Sequence, residues 1–182
     1  MTRVVDRGAI VAGWVGIGMA AVIIVSFVLV IPIGDVAVAL FAFPAGLIIG
    51  YYANQRSDRR GGPWPRIVAN AAWAGLITGL TSAILLLGVK AIFYNADDGY
   101  RDASLGGPIE CSTGPDCVWK RYLAAGRGPQ LEDLGVTDLP SFTSFYWREQ
   151  VSTAGTLVAV TVAGGILGGV AYRLTNRARP TA

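Results

Sequence analysis

The chain has no histidine, two cysteines and only 15% charged residues among its 182. Each scarcity excludes something. Without histidine there is no His-ligated haem or copper centre. Two cysteines, Cys111 and Cys117, fall short of the four ligands that a structural zinc ion takes from Cys, His or acid. No acid lies in the middle of a long apolar run, which argues against the carboxylate proton relays of membrane pumps. There is also no P-loop, no G-x-S-x-G and no H-E-x-x-H. The expectation is a protein with no cofactor, no metal, no catalytic residue and no nucleic-acid partner. It does not read as an enzyme.

What the chain does have is apolar sequence in long blocks. Hydrophobic residues make up 53% of it, and glycine occurs 24 times. Crossing a bilayer takes about 20 mostly apolar residues, and four stretches qualify: 8–33, 36–54, 67–93 and 151–172. The pattern predicts an all-α, polytopic four-helix membrane bundle forming a single domain over 1–182. Arg3 and Arg7 ahead of the first stretch, with Ala37-Val38-Ala39 after it, imitate a signal peptide. A signal core is about 7–15 residues long, however, and this one is far longer, so the first span is expected to remain.

Charge sets the expected orientation, because Lys and Arg are retained on the cytoplasmic side. The N-terminus, the link 55–66 and the C-terminal tail hold nine Arg against Asp6 and Asp58. The other charges, from Asp35, Lys90 and the stretch up to Glu149, are six basic against ten acidic. Both termini should be cytoplasmic and the 95–148 loop outside. Tyr51, Tyr52 and Trp64 would mark the inner interface, and Phe93, Tyr94, Tyr146 and Trp147 the outer one. Arg56, Arg59, Arg60 and Arg66 in the link could touch anionic headgroups, but fixing orientation alone explains them. The thirteen Arg against two Lys, with abundant Ala, Gly and Val, suggest a bacterial inner membrane.

That topology puts Cys111 and Cys117 on an oxidising face, where a disulfide is the default. The intervening "STGPD" is turn chemistry: Gly114 tolerates positive φ and Pro115 fixes it. A redox couple usually reads C-x-x-C, which this spacing does not match. Downstream, "DCVWKRYLAAG" predicts a short helix with Asp116 as N-cap and Gly126 as its stop. Its face of Val118, Tyr122 and Ala125, with Trp119 beside it, is expected to rest on the membrane surface or the bundle mouth. Trp119, Lys120, Arg121 and Tyr122 form the candidate interaction surface. A further helical turn is expected between Pro129 and Gly135, and Ser141 or Ser144 is expected to cap the last span. "NADDGYRD" imitates a calcium loop but lacks Gly at the sixth position and Glu at the twelfth. It reads as a solvated acidic turn.

Within the spans, "GIGMAA" (16–21) matches a dinucleotide fingerprint only on paper, because that motif needs a strand before it. Small residues recur four apart on each span. The clearest cases are Gly75 with Gly79, and Gly164 with Gly168 beside Gly165 with Gly169. In lipid such spacing lets helix backbones touch, so these six glycines are expected to pack the bundle or to mediate self-association. The expected role is an accessory or scaffold subunit that engages a protein partner through its outer loop. The alternative is a small transporter or channel with a pore in the bundle or at an oligomer axis. An outer-face thiol redox protein is a third, weaker reading.

Overall fold

The computed structural model describes residues 5–29, 35–58, 62–100 and 106–177, with the side chains of 25–29, 35–39 and 177 left aside. Among them the chain is all helical: α1 Arg7–Leu29, α2 Asp35–Gln55, α3 Trp64–Ala96, α4 Pro115–Ala124, α5 Gly128–Asp133 and α6 Leu139–Arg177. Arg3, Arg59, Arg60, Gly61, Asp102 and Arg179 lie outside the described residues. Ala37, Val38 and Ala39 are described in backbone only.

Three helices are long and apolar enough to cross a membrane: Arg7–Ile24 in α1, all of α3, and Leu139–Asn176 in α6. These mark a membrane protein. The expected second span is a helix, α2, which runs unbroken through Pro44, but it is not among the three. α3 and α6 have 33 and 39 residues. At 1.5 Å per residue they rise about 50 and 58 Å, well beyond the ~30 Å of a hydrocarbon core. The last helix therefore starts at Leu139, not near residue 151 as its apolar run suggested. Its cap also differs from the expectation. The Asp138 carboxylate accepts the Ser141 N–H (2.8 Å), and the Ser141 hydroxyl reaches back to the Asp138 N–H (3.2 Å). Asp138 is thus the cap and Ser141 its reciprocal partner, while Ser144 bonds to the Pro140 carbonyl.

The chain divides into two compact units, one of residues 1–86 with 153–182 and the other Leu87–Ser152. Glycine assembles the first. A Cβ on Gly164 or Gly168 would run into the α2 backbone, at Phe43 and Leu47 respectively. A Cβ on Gly165 would lie 2.8 Å from the Ala71 carbonyl, and one on Gly169 2.7 Å from the Ala71 Cβ, both on α3. The doubled motif of α6 is therefore two ridges, one for each neighbour. α3 returns the contact: a Cβ on Gly75 would lie 3.0 Å from the Thr161 carbonyl, and one on Gly79 3.1 Å from the Val158 Cα. Close backbone approach of this kind lets van der Waals contact hold helices where lipid removes the hydrophobic drive.

A polar knot fastens the start of α1. Asp6 is buried; its Oδ1 accepts the N–H groups of Gly8 (3.0 Å) and Ala9 (3.3 Å), which caps α1. Oδ2 accepts from the Ser57 hydroxyl and from Asn70 Nδ2 (2.9 Å), and Arg66 Nε lies 3.9 Å away. Burial pushes the carboxyl upward, but the bonds from Ser57, Asn70 and the two N–H groups outweigh it and the net shift is downward. Nearby, Asn54 donates to the carbonyls of Gly50 and Ile67, both at 3.1 Å. The side chains of Asp6, Asn54 and Asn70, all buried, are thus each hydrogen-bonded, which offsets the cost of taking polar groups out of water.

Candidate functional site

The Leu87–Ser152 unit holds every residue of the candidate interaction surface, so its construction decides what they can do. Cys111 and Cys117 form a disulfide with their Cα atoms 5.0 Å apart. The stapled turn is pinned to the segment after α3. The Ile109 N–H donates to the Gly99 carbonyl (3.0 Å), and the Gly114 N–H to the Asp97 carbonyl (2.6 Å). Gly99, at φ 77°, cannot be replaced cheaply, since a Cβ there would stand 2.6 Å from Cys111 Sγ.

α4 starts with Pro115 at its first position and Gly114 as N-cap, so the expected cap, Asp116, sits inside the first turn. Its carboxylate accepts the Ser112 N–H (2.7 Å) and pairs with Lys120 (3.1 Å). Proline suits the first turn because its missing N–H would be unpaired there anyway, which moves the cap back one residue. Gly126, at φ 77°, follows the helix as its expected stop. α5 falls where the further turn was expected.

Of the expected apolar face of α4, Val118, Trp119 and Tyr122 pack inside the unit, while Ala125 is exposed. Phe142, fully buried, is the centre of a cluster with Tyr94, Val118, Leu131, Val136, Phe145 and Tyr146. Trp119 stacks on Phe142 at 6.0 Å between centroids, and Tyr122 meets it edge-on at 5.2 Å. Tyr94 stacks on Tyr146 at 4.6 Å, and the Tyr94 and Thr143 hydroxyls share a 2.8 Å bond. Aromatic pairs in these geometries add to the area they bury. The Trp119 indole N–H finds no acceptor among the described residues.

Two ion pairs clamp this core. Arg121 grips Asp97 in a fork, Nε to Oδ2 at 2.9 Å and Nη2 to Oδ1 at 2.7 Å, and also donates to the Tyr100 carbonyl (3.1 Å). The Asp97 side chain is only 10% exposed. The "solvated acidic turn" is thus corrected in part: Asp97 is the partly buried half of an ion pair, while Asp98 is exposed. Burial raises the Asp97 carboxyl, but the Arg121 fork and the Gly99 N–H outweigh that and hold it below its ordinary value. Arg127 Nη2 binds Glu149 Oε1 (2.6 Å), its guanidinium lies 4.4 Å from the centroid of the Tyr122 ring, and the Tyr122 hydroxyl donates to Glu149 Oε2 (2.8 Å). Burial and the Glu149 bond both push the Tyr122 hydroxyl upward, so it stays protonated.

Of the candidate surface, then, Trp119, Arg121 and Tyr122 are engaged within the unit. Lys120, which also donates to the Glu110 carbonyl (2.9 Å), faces outward. Tyr100 (75% exposed), Leu123 (46%) and Leu134 (53%) present apolar surface to solvent. Sequence reasoning missed Glu149, Arg127 and Phe142. For Phe142 and Glu149 the signal was the spacing of Phe142, Phe145, Tyr146 and Glu149, which is one helical face; Arg127, outside α6, had none. The chain matches no protein-family model, no curated protein and no solved structure.

Proposed function

We propose that this is a four-span bacterial inner-membrane protein, both termini cytoplasmic, serving as a non-enzymatic accessory or scaffold subunit. Its partner contact is the outward-facing Leu87–Ser152 unit. The observation that supports this best is the investment in that unit: an aromatic core, a disulfide and two ion pairs hold its surface in one shape. Ordering so many residues carries an entropy cost, and a bound partner is the economical reason to keep it. Trp119, Arg121 and Tyr122 support the surface from within, while Lys120, Leu123, Leu134 and Tyr100 supply contact. α2 is the fourth span, with the length a crossing requires.

The transporter reading is weaker because the hydroxyls of Thr78, Ser82 and Thr161 are bonded to carbonyls on their own helices. The test is purification in mild detergent of the parent chain and of Leu123→Glu/Leu134→Glu. A stoichiometric partner retained by the parent and lost from the variant, with the disulfide intact in both, supports the proposal. Solute flux in liposomes without any partner would favour the transporter.

A further inference from the structure

Positive charge is gathered at one end of the first unit, where several helix ends meet. A Cβ on Gly8 would lie 2.5 Å from both the Ala53 carbonyl and the Ser57 N–H, and 2.6 Å from Arg56 C, so Arg7 and Arg56 ride on touching backbones. Arg66 is tied to the same place through Asp6. Tyr51 meets Tyr172 edge-on at 5.5 Å, which brings the end of α6 there as well.

Arg7, Arg56 and Arg66 outnumber the described acids of this end, Asp6 and Asp58. Asp6 is consumed by Ser57, Asn70, the α1 cap and Arg66. Asp58 is exposed. Arg7 and Arg56 are both exposed, and among the described residues neither is in an ion pair. Arg56 is nevertheless not a loose side chain. Its Nε donates to the Tyr52 hydroxyl at 3.1 Å, and the guanidinium lies 5.4 Å from that ring's centroid. Directly beyond Arg7, α1 presents exposed Ile10, Val11 and Trp14. A held guanidinium, Arg56, with exposed Arg7 on the adjoining backbone and an apolar helix face beyond it, suits a molecule that carries an anion at one end and hydrocarbon at the other.

We propose that this end is a headgroup site for an anionic phospholipid, with the phosphate at Arg7 and Arg56 and an acyl chain along the Ile10–Trp14 face of α1. Fixing orientation needs only net charge; it does not need an arginine held by a tyrosine hydroxyl. Guanidinium matches phosphate oxygens with paired N–H donors, which an ammonium does not. The inference rests on the membrane reading and is independent of the scaffold role.

The test is native mass spectrometry of the full-length chain in a zwitterionic detergent, titrated with dioleoyl phosphatidylglycerol, dioleoyl phosphatidylcholine or inorganic phosphate. Phosphatidylglycerol should bind at least tenfold more tightly than phosphatidylcholine. Arg7→Gln and Arg56→Gln should each weaken it about fivefold, the factor for one cation at an anionic surface. Tyr52→Phe, which keeps the ring, should weaken it by a smaller factor. Lys120→Gln, which removes the same charge from the other unit, should leave it unchanged. Equal affinity for the two lipids, or an effect of Lys120→Gln as large as that of Arg56→Gln, would overturn the site. If inorganic phosphate competes at equal concentration, the ligand is a free anion and the lipid assignment fails. A chain soluble without detergent would sink the membrane reading itself.

Discussion

Gly165 and Gly75 bring α6 and α3 together with almost nothing between them: a Cβ on Gly165 would lie 3.3 Å from the Gly75 Cα. Replacing Gly165 with Leu must push the helices apart, and Gly168→Leu must do the same against Leu47 on α2. Each should cost about 1–3 kcal/mol, the range for forcing bulk into a packed core. The thermal aggregation midpoint in detergent reads this. Gly155→Leu is the matched control, since a Cβ there meets nothing within 4 Å. If all three behave alike, the glycines reflect composition rather than packing.

Cys117→Ser should loosen the 97–117 segment without preventing membrane insertion. Closing so short a loop stabilises by about 2 kcal/mol through the entropy it removes from the unfolded chain. Limited proteolysis should cut near Gly106 faster in the variant, and non-reducing peptide mapping should find the linked peptide in the parent only.

Arg121→Ala should leave the Asp97 carboxylate largely buried with only the Gly99 N–H as partner among the described residues, at a cost of about 1–3 kcal/mol at neutral pH. The pH dependence follows from the direction of the shift. Asp97 titrates below its ordinary value of 3.8, so its contribution is present above that value and is lost as pH falls through the lower folded value. The parent should therefore lose stability on acidification below about pH 4, and Arg121→Ala should lose less in that window. Parallel losses in the two proteins would assign the acid sensitivity elsewhere.

Asp6→Ala removes the cap of α1 together with the anchor to Ser57 and Asn70. A destabilisation of about 2 kcal/mol is expected from the cap and one buried bond. Asn70→Ala should cost less, because Asp6 keeps its other donors. The comparison is again a thermal midpoint in detergent.

Local pattern revealed three membrane-length apolar helices and the turn between the cysteines, because hydropathy over a window and Gly-Pro chemistry need no knowledge of distant neighbours. The doubled glycines of α6 could be read as packing residues, but only the fold assigns one ridge to α2 and the other to α3. The Asp97–Arg121 pair stayed hidden because 24 residues separate its partners, and sequence offers no rule for closing that gap. The early start of α6 was obscured for a different reason. Pro140 and three nearby hydroxyl residues look like loop, yet Pro is welcome in a first turn, and Ser141, Thr143 and Ser144 bond back to the helix or its cap. Once α6 starts at Leu139, the Phe142 stripe needs a cover, and the Trp119–Tyr122 face of α4 provides it.

The central claim is that the Leu87–Ser152 unit carries the biological role. Replacing Asp97–Glu132 with a short flexible linker tests it most directly. Phe142 and Phe145 are changed to Ser in the same chain, so that the uncovered stripe does not itself cause aggregation. The account expects an inserted bundle with its thermal midpoint nearly intact, no stoichiometric partner in mild detergent, and loss of the parent's phenotype. A trimmed chain that keeps both partner and phenotype would contradict it, and would move the search into the bundle around Asn70, Thr78 and Thr81.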